Sequence, residues 1–133
     1  MGVAVSFQGI VKRFGPLLAN DSITFEVREG SVHALLGENG AGKTTLLSIL
    51  AGFQRPDQGR ILVDGNPLSL GSPRAALDRG IGLCAQHFLL AGALTGAENI
   101  LLGRPGCVGL RSLPAERIRR LTRLAEANGL EVP

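Results

Sequence analysis

The feature that most constrains this sequence is the run from Gly37 to Thr44, GENGAGKT, which fits the pattern G-x-x-x-x-G-K-S/T without a gap. An apolar run, residues 32–36, precedes it, and a segment with apolar residues at helical spacing, residues 44–51, follows it. Glycines in this pattern let backbone N–H groups turn toward an anion, and the helix adds its unpaired N–H groups. The sequence therefore predicts a loop that binds the phosphates of a nucleotide rather than a plain glycine-rich turn.

Composition places the chain among globular proteins. Its 133 residues are 44% hydrophobic and 19% charged, which suits a single domain with a sizeable core. The net charge of +3 indicates a mildly basic, solvated surface, with an anion-binding surface as the alternative. Cys84 and Cys107 have no metal-binding or redox spacing, which favours a reducing, cytosolic compartment. We find neither a secretory signal nor an apolar run long enough to cross a membrane.

Hydrophobic periodicity and turn residues predict alternating strands and helices. Asp64 and Gly65 indicate a hairpin turn. Arginines on the last predicted helix indicate a solvated face, with a nucleic-acid stripe as the weaker reading because aromatic residues are scarce. The predicted strands are residues 3–7, 22–27, 32–36, 60–63 and 80–85, and the predicted helices are residues 44–51, 74–79, 97–102 and 114–127.

Several motifs together resemble one family, the ATP-binding cassette (ABC) transporter ATPases. The loop extends through Thr45 and Leu46 in that family's form, and Phe14 precedes it where the family places an aromatic residue. The resemblance continues through residues 52–53, 56–61, 64–65, 80–86, 95, 97–100 and 102–103, which covers essentially the whole chain. Gln86-His87-Phe88 and the later Glu-Asn-Ile sequence most resemble the ATPase subunits of nucleoside and simple-sugar importers.

The resemblance implies a fold and a set of partners. It implies an α/β P-loop NTPase core of ABC type, a mixed sheet with an antiparallel β subdomain. About residues 1–90 would form this core and about residues 91–133 the start of a helical subdomain. The implied partners are a second nucleotide-binding domain, membrane permease subunits at the loop around Gln86 and, indirectly, a solute-binding protein, with no nucleic acid. The implied location is the cytoplasmic face of the cell membrane.

The resemblance also implies roles for individual residues toward ATP and Mg²⁺. Phe14 would stack on adenine, with Ala19 as a small neighbouring contact. Lys43 would bridge the β- and γ-phosphates, and Gln86 would sense the γ-phosphate. The implied nucleotide-binding residues are Phe14, Ala19, Gly37, Asn39, Gly40, Ala41, Gly42, Lys43, Thr44 and Thr45; the catalytic residues are Lys43 and Gln86, and the metal-binding residues are Thr44 and Gln86. The plainer alternatives are core packing for Phe14 and a surface position for Gln86.

Three motifs that the family uses for hydrolysis do not occur in the 133 residues. They are an apolar strand ending in Asp-Glu, the Leu-Ser-Gly-Gly-Gln signature and a switch histidine. Asp64 ends an apolar run but is followed by glycine, and residues 68–71 match only half a signature. We therefore expect the N-terminal part of one nucleotide-binding domain, which binds ATP but is inactive alone.

Two other classes of function stay open at this level. A GTPase or small-molecule kinase is disfavoured because Asn-Lys-x-Asp is absent and no Asp is followed three residues later by Gly. The other is an interaction module that holds a nucleotide without hydrolysing it.

Overall fold

The computed structural model describes residues 2–85, 90–102 and 115–130. The chain divides into two compact units, Met1–Cys84 and Ala85–Pro133, and each is described separately. The first unit contains β1 Val3–Phe14, β2 Leu17–Arg28, α1 Lys43–Leu50, β3 Gln58–Val63, β4 Asn66–Pro67 and α2 Pro73–Asp78. The second contains α3 Gly96–Leu101 and α4 Ala115–Ala127.

The four strands form one antiparallel sheet in the order β2-β1-β3-β4. Short hairpins join neighbours, since Gly15 and Pro16 separate β1 from β2, and Asp64 and Gly65 separate β3 from β4. Asp64 and Gly65 have φ of 48° and 74°, the left-handed values that a two-residue hairpin of this twist requires. The hairpin prediction is confirmed, and Asp64 is a turn residue.

The core of the first unit lies between the sheet and α1. Leu46 and Ile49 on one face of α1 are buried with residues of β1 and β3. The cluster consists of Phe7, Ile10, Leu46, Ile49, Ile61, Val63 and Leu68. The Phe7 ring stacks on Phe25 of β2, with centroids 4.5 Å apart. The helical spacing of apolar residues in 44–51 therefore places the apolar side chains of α1 on one face, where they pack against the sheet.

Strands β1 and β2 are longer than the sequence predicts. The prediction ends the first strand at Phe7, but β1 continues to Phe14 through an irregular register between Phe7 and Ile10. Gly9 has a φ of 61° there, and its N–H donates to Thr24 Oγ1 at 2.9 Å. A glycine in this conformation forms a bulge that bends the strand without ending it.

Two of the predicted strands are wrong. Residues 32–36 and 80–85 form no ladder, and Val32 and Leu36 are more than nine-tenths exposed. Only Leu35 and Ile81 pack partly against the core. An apolar run becomes a strand only when a neighbouring strand accepts its backbone hydrogen bonds, and no described strand lies beside either segment.

The second unit is organised around the N-terminus of α3. Thr95 and Glu98 form a reciprocal capping box, in which the Thr95 N–H donates to Glu98 Oε2 at 2.7 Å. The Asn99 side chain accepts from the Ala91 N–H and donates to the carbonyls of Ala91, Leu94 and Thr95. These bonds fix the loop before α3. No helix among the described residues is long and apolar enough to span a bilayer.

Candidate nucleotide-binding site

The predicted phosphate loop ends at the N-terminus of α1. Gly42 is the N-cap of this helix with a φ of 82°, and Gly40 has a φ of 85°. Both values lie in the left-handed region, which glycine adopts without steric cost. The first turn of α1 contains no acidic side chain. The positive end of its dipole and its unpaired N–H groups therefore favour a bound anion.

Lys43 folds back along the loop. Its Nζ donates to the carbonyl oxygens of Gly37 and Glu38, both at 2.7 Å. The Ala41 N–H donates to the Glu38 carbonyl at 3.2 Å, which closes the same curve. The ammonium group therefore lies against the backbone of the loop that the motif predicts to bind phosphate.

Strand β2 supports the loop from the side. A Cβ at Gly42 would collide with the Ala19 carbonyl and lie 2.8 Å from Asn20 Nδ2. Asn20 is buried, and its Nδ2 donates to the Gly42 carbonyl at 3.2 Å. Its Oδ1 has no hydrogen-bond partner among the described residues. Glycine at position 42 is therefore required by the contact as well as by the backbone angle.

Asn20 joins the candidate site through its contact with Gly42, and the sequence does not single it out. The sequence offers no signal for it, because Asn20 precedes the strand predicted at residues 22–27 and only the structure extends β2 back to Leu17. Its partner lies 22 positions away, so only the fold reveals the contact. Ala19, which the resemblance implied, is half-buried beside it.

The remaining predicted residues occupy different environments. Thr44 is exposed on the first turn of α1, whereas Thr45 is half-buried. Asn39 and Ala41 are exposed in the loop. Hydroxyl, ammonium and backbone N–H groups therefore converge on one short segment, and this donor set suits phosphate oxygens and a hydrated Mg²⁺. Gln86 lies outside the described residues.

Phe14 lies at the end of β1, opposite Leu17 of β2. Its side chain is 43% exposed and does not belong to the buried core cluster. Ala19, two residues beyond Leu17, provides the carbonyl that Gly42 approaches, and two strand residues span about 7 Å. The exposed Phe14 ring therefore lies at the end of the β1–β2 hairpin, about two residues of β2 away from the point where β2 meets the loop.

Comparison with known proteins places these features in a family. The sequence model of the ABC transporter family matches residues 20–132. The nucleoside import ATP-binding protein NupA of Lactococcus lactis is 42% identical over 92% of this chain and 24% of its own length. The guanosine import ATP-binding protein NupO of Bacillus subtilis is 46% identical over 78% of the chain and 20% of its length. The ribose import ATP-binding protein RbsA 1 of Rubrobacter xylanophilus is 51% identical over 75% and 20%. The chain thus spans about a quarter or less of the length of these relatives.

Solved structures agree. A nucleotide-free ATP-binding cassette from an ABC transporter is 29% identical with a TM-score of 0.70, over 90% of this chain and 46% of that one. Another ATP-binding cassette of an ABC transporter is 26% identical with a TM-score of 0.76, over 95% and 53%. The antiparallel sheet, α1 and the phosphate loop are thus parts of a P-loop NTPase fold of ABC type, and the chain belongs to the ABC transporter family.

Proposed function

We propose that this chain is the ATP-binding part of an ABC transporter subunit that couples ATP binding and hydrolysis to solute import. The observation that carries the proposal is the loop of residues 37–45, in which Lys43 folds back onto the Gly37 and Glu38 carbonyls at the start of α1. The named relatives are import ATP-binding proteins, and those names support the direction of transport.

Residues of the loop take complementary roles toward Mg-ATP. Backbone N–H groups of residues 40–45 donate to the phosphates, and Lys43 exchanges its two carbonyl partners for β- and γ-phosphate oxygens. Thr44 offers its exposed hydroxyl to Mg²⁺, and Thr45 contacts the α-phosphate. Mg²⁺ held there would neutralise charge that develops on the phosphates during transfer.

The hairpin supplies the base-binding side. Phe14 is exposed at the end of β1, and Ala19 lies where β2 meets Gly42. A single nucleotide can then stack its adenine on Phe14 and leave its phosphates in the loop. Aromatic stacking tolerates many bases, so selectivity for adenine over guanine does not follow from Phe14 alone.

The remaining roles belong to the complete protein. Gln86 would help to hold Mg²⁺ and would sense the γ-phosphate, and its loop would contact membrane permease subunits. A second nucleotide-binding domain closes the site for in-line attack of water, on the cytoplasmic face of the membrane. A solute-binding protein delivers the solute, a nucleoside or a simple sugar. These steps rest on the family membership and on the names of the relatives.

Isothermal titration with Mg-ATP tests the binding role. We expect Lys43→Ala to weaken ATP binding roughly tenfold to a hundredfold, because a charge-assisted contact to phosphate is lost. Arg119→Ala removes the same charge from an exposed position on α4 and should leave the affinity unchanged. Equal losses in the two variants, or selective tight binding of GTP over ATP, would contradict the proposal.

Uptake measurements in cells test the transport role. A Lys43→Ala allele of the full gene should reduce uptake of a radiolabelled nucleoside, such as guanosine, or of a simple sugar, such as ribose. An Arg119→Ala allele expressed at the same level is the control. Unchanged uptake of every nucleoside and simple sugar in the Lys43→Ala strain would exclude the solute class.

A further inference from the structure

Asp57 binds the end of β1 through three hydrogen bonds. Its backbone N–H donates to the Val11 carbonyl at 2.8 Å. Its carboxylate accepts from the Arg13 N–H at 2.6 Å and from Lys12 Nζ at 3.3 Å. This residue belongs to the loop before β3, yet it holds the last residues of β1 in place.

The carboxylate replaces strand pairing that is missing at this point. Pairing of β1 with β3 ends at Val11 and Gln58, so the ladder does not reach Arg13. On the other side, pairing of β1 with β2 is irregular from Ile10 to Arg13. The backbone that leads into Phe14 therefore depends on Asp57 for its position on the β3 side.

Lys12 connects the same carboxylate to the Phe14 ring. Lys12 and Phe14 are two residues apart in β1, so their side chains leave the same face of the strand. The Lys12 Nζ lies 5.4 Å from the centroid of the Phe14 ring, within the range of a cation–π contact. The Lys12 side chain is only 16% exposed, and its ammonium also lies 3.3 Å from the Asp57 carboxylate.

The carboxylate is charged at neutral pH. The hydrogen bond from the Arg13 backbone holds the pKa of Asp57 below its ordinary value. Partial desolvation opposes this effect, and the bond from Lys12 adds to it. The main partner of the carboxylate is the Arg13 backbone N–H. Asp57 therefore fixes the backbone of β1 in addition to forming an exposed ion pair with Lys12, which alone would contribute little to stability.

We propose that Asp57 and Lys12 are positioning residues for base recognition, which fix the Phe14 ring in the orientation that stacks on the base of the nucleotide. The proposal rests on the proposed function, since it assumes that Phe14 contacts the base. On this proposal, the affinity for a nucleotide has two contributions. The loop binds the phosphates, and Phe14, positioned by Asp57, binds the base.

Calorimetric titrations of the chain with Mg-ATP and with Mg²⁺-loaded inorganic tripolyphosphate, which has no base, distinguish the two parts. We expect Asp57→Ala to weaken ATP binding about fivefold and to leave tripolyphosphate binding within about twofold of the wild type. Lys12→Met should behave in the same way, and Lys12→Arg should retain ATP affinity. Asp78→Ala, which breaks an exposed ion pair with Arg74 on α2, is the matched control and should change neither affinity.

A double-mutant cycle excludes a merely structural role. In a Phe14→Ala background the base contact is already lost, so Asp57→Ala should cause no further loss of ATP affinity. An equal loss for both ligands, or the same fivefold loss in the Phe14→Ala background, would overturn the positioning role while the proposed function stands. Failure of the wild type to bind either ligand would instead refute the proposed function, and this inference with it.

Discussion

Gly42 satisfies a conformational and a steric requirement at the same position. Its φ of 82° lies in the left-handed region, and any Cβ there would meet the Ala19 carbonyl. Gly40 has nearly the same φ, 85°, but a Cβ at that position would meet nothing within 4 Å. The two glycines thus separate the energetic cost of the backbone angle from the cost of the contact with β2.

We predict that Gly42→Ala weakens Mg-ATP binding more than tenfold, since the loop must move away from β2. Gly40→Ala imposes only the backbone cost, about 1 kcal/mol, and should reduce stability by that amount. Calorimetry measures the affinity, and urea unfolding followed by circular dichroism measures the stability. Equal effects of the two variants on affinity would show that the contact between Gly42 and Ala19 has no role.

Asn20 gives a second prediction at the residue scale. Asn20→Asp places a carboxylate oxygen against the Gly42 carbonyl in a buried position, which should lower the free energy of unfolding by about 1–3 kcal/mol. Asn66 also donates through Nδ2 to a backbone carbonyl, that of Asp64, but is exposed. Asn66→Asp is therefore the control, with an expected change of at most about 0.5 kcal/mol. A control as damaging as Asn20→Asp would argue against the buried contact.

The sequence indicates the turn of the loop into α1 but not the contacts that support the loop. Residues 37–45 form a local pattern whose chemistry depends on neighbouring backbone groups, so the pattern alone indicates their conformation. The contacts of Asn20 with Gly42 and of Asp57 with Arg13 join residues 22 and 44 positions apart. No local pattern specifies such pairs, because they follow from how the hairpin and the loop pack.

At the scale of elements, the sequence predicts correctly the helices and strands that local interactions stabilise. The helices α1 to α4 lie within one residue of their predicted bounds because capping residues and apolar periodicity specify them. Ser72, for example, caps α2 by accepting from the Ala75 N–H at 3.2 Å. Residues 32–36 and 80–85 have the composition of strands but form no ladder, since pairing is a property of two segments together.

The capping box at α3 gives a pH-dependent prediction. Hydrogen bonds from the Thr95 N–H and then from its hydroxyl lower the pKa of Glu98 below its ordinary value. A lowered folded-state pKa stabilises the cap fully above the ordinary value of about 4.3, and this contribution is lost as the pH falls through the folded-state pKa. We therefore expect hydrogen-exchange protection of the Thr95 and Glu98 amides to fall as the pH is lowered below about 4.

The matched variant for this prediction is Glu98→Gln. A glutamine at this position accepts the same hydrogen bond without titrating, so protection should not depend on pH in this range. Exchange rates are compared by NMR after correction for the intrinsic dependence of exchange on pH. An identical pH profile in the two proteins would show that Glu98 ionisation does not control the N-terminus of α3.

At the scale of the whole molecule, binding and hydrolysis make different demands. The residues that we propose to bind the nucleotide in the first unit lie within residues 14–45, whereas the Asp-Glu strand end and the signature do not occur in the 133 residues. We predict that the chain alone binds Mg-ATP without sustained turnover, because the Asp-Glu strand end that would help to hold the metal and position the water does not occur in its sequence. The measurement is phosphate release at millimolar Mg-ATP. Release that Lys43→Ala abolishes and Arg119→Ala preserves would contradict this prediction.

The two hydrogen bonds of Lys43 have a consequence for the rate of binding. They hold the curve of the loop together through contacts within the chain, so the entropy of ordering this segment is lost on folding and not on association. In the proposed function, a nucleotide that reaches the loop finds the backbone N–H groups already ordered, and Lys43 exchanges its two carbonyl partners for phosphate oxygens as the nucleotide binds. Differences in affinity among variants of the loop should therefore appear mainly in how long the nucleotide stays bound.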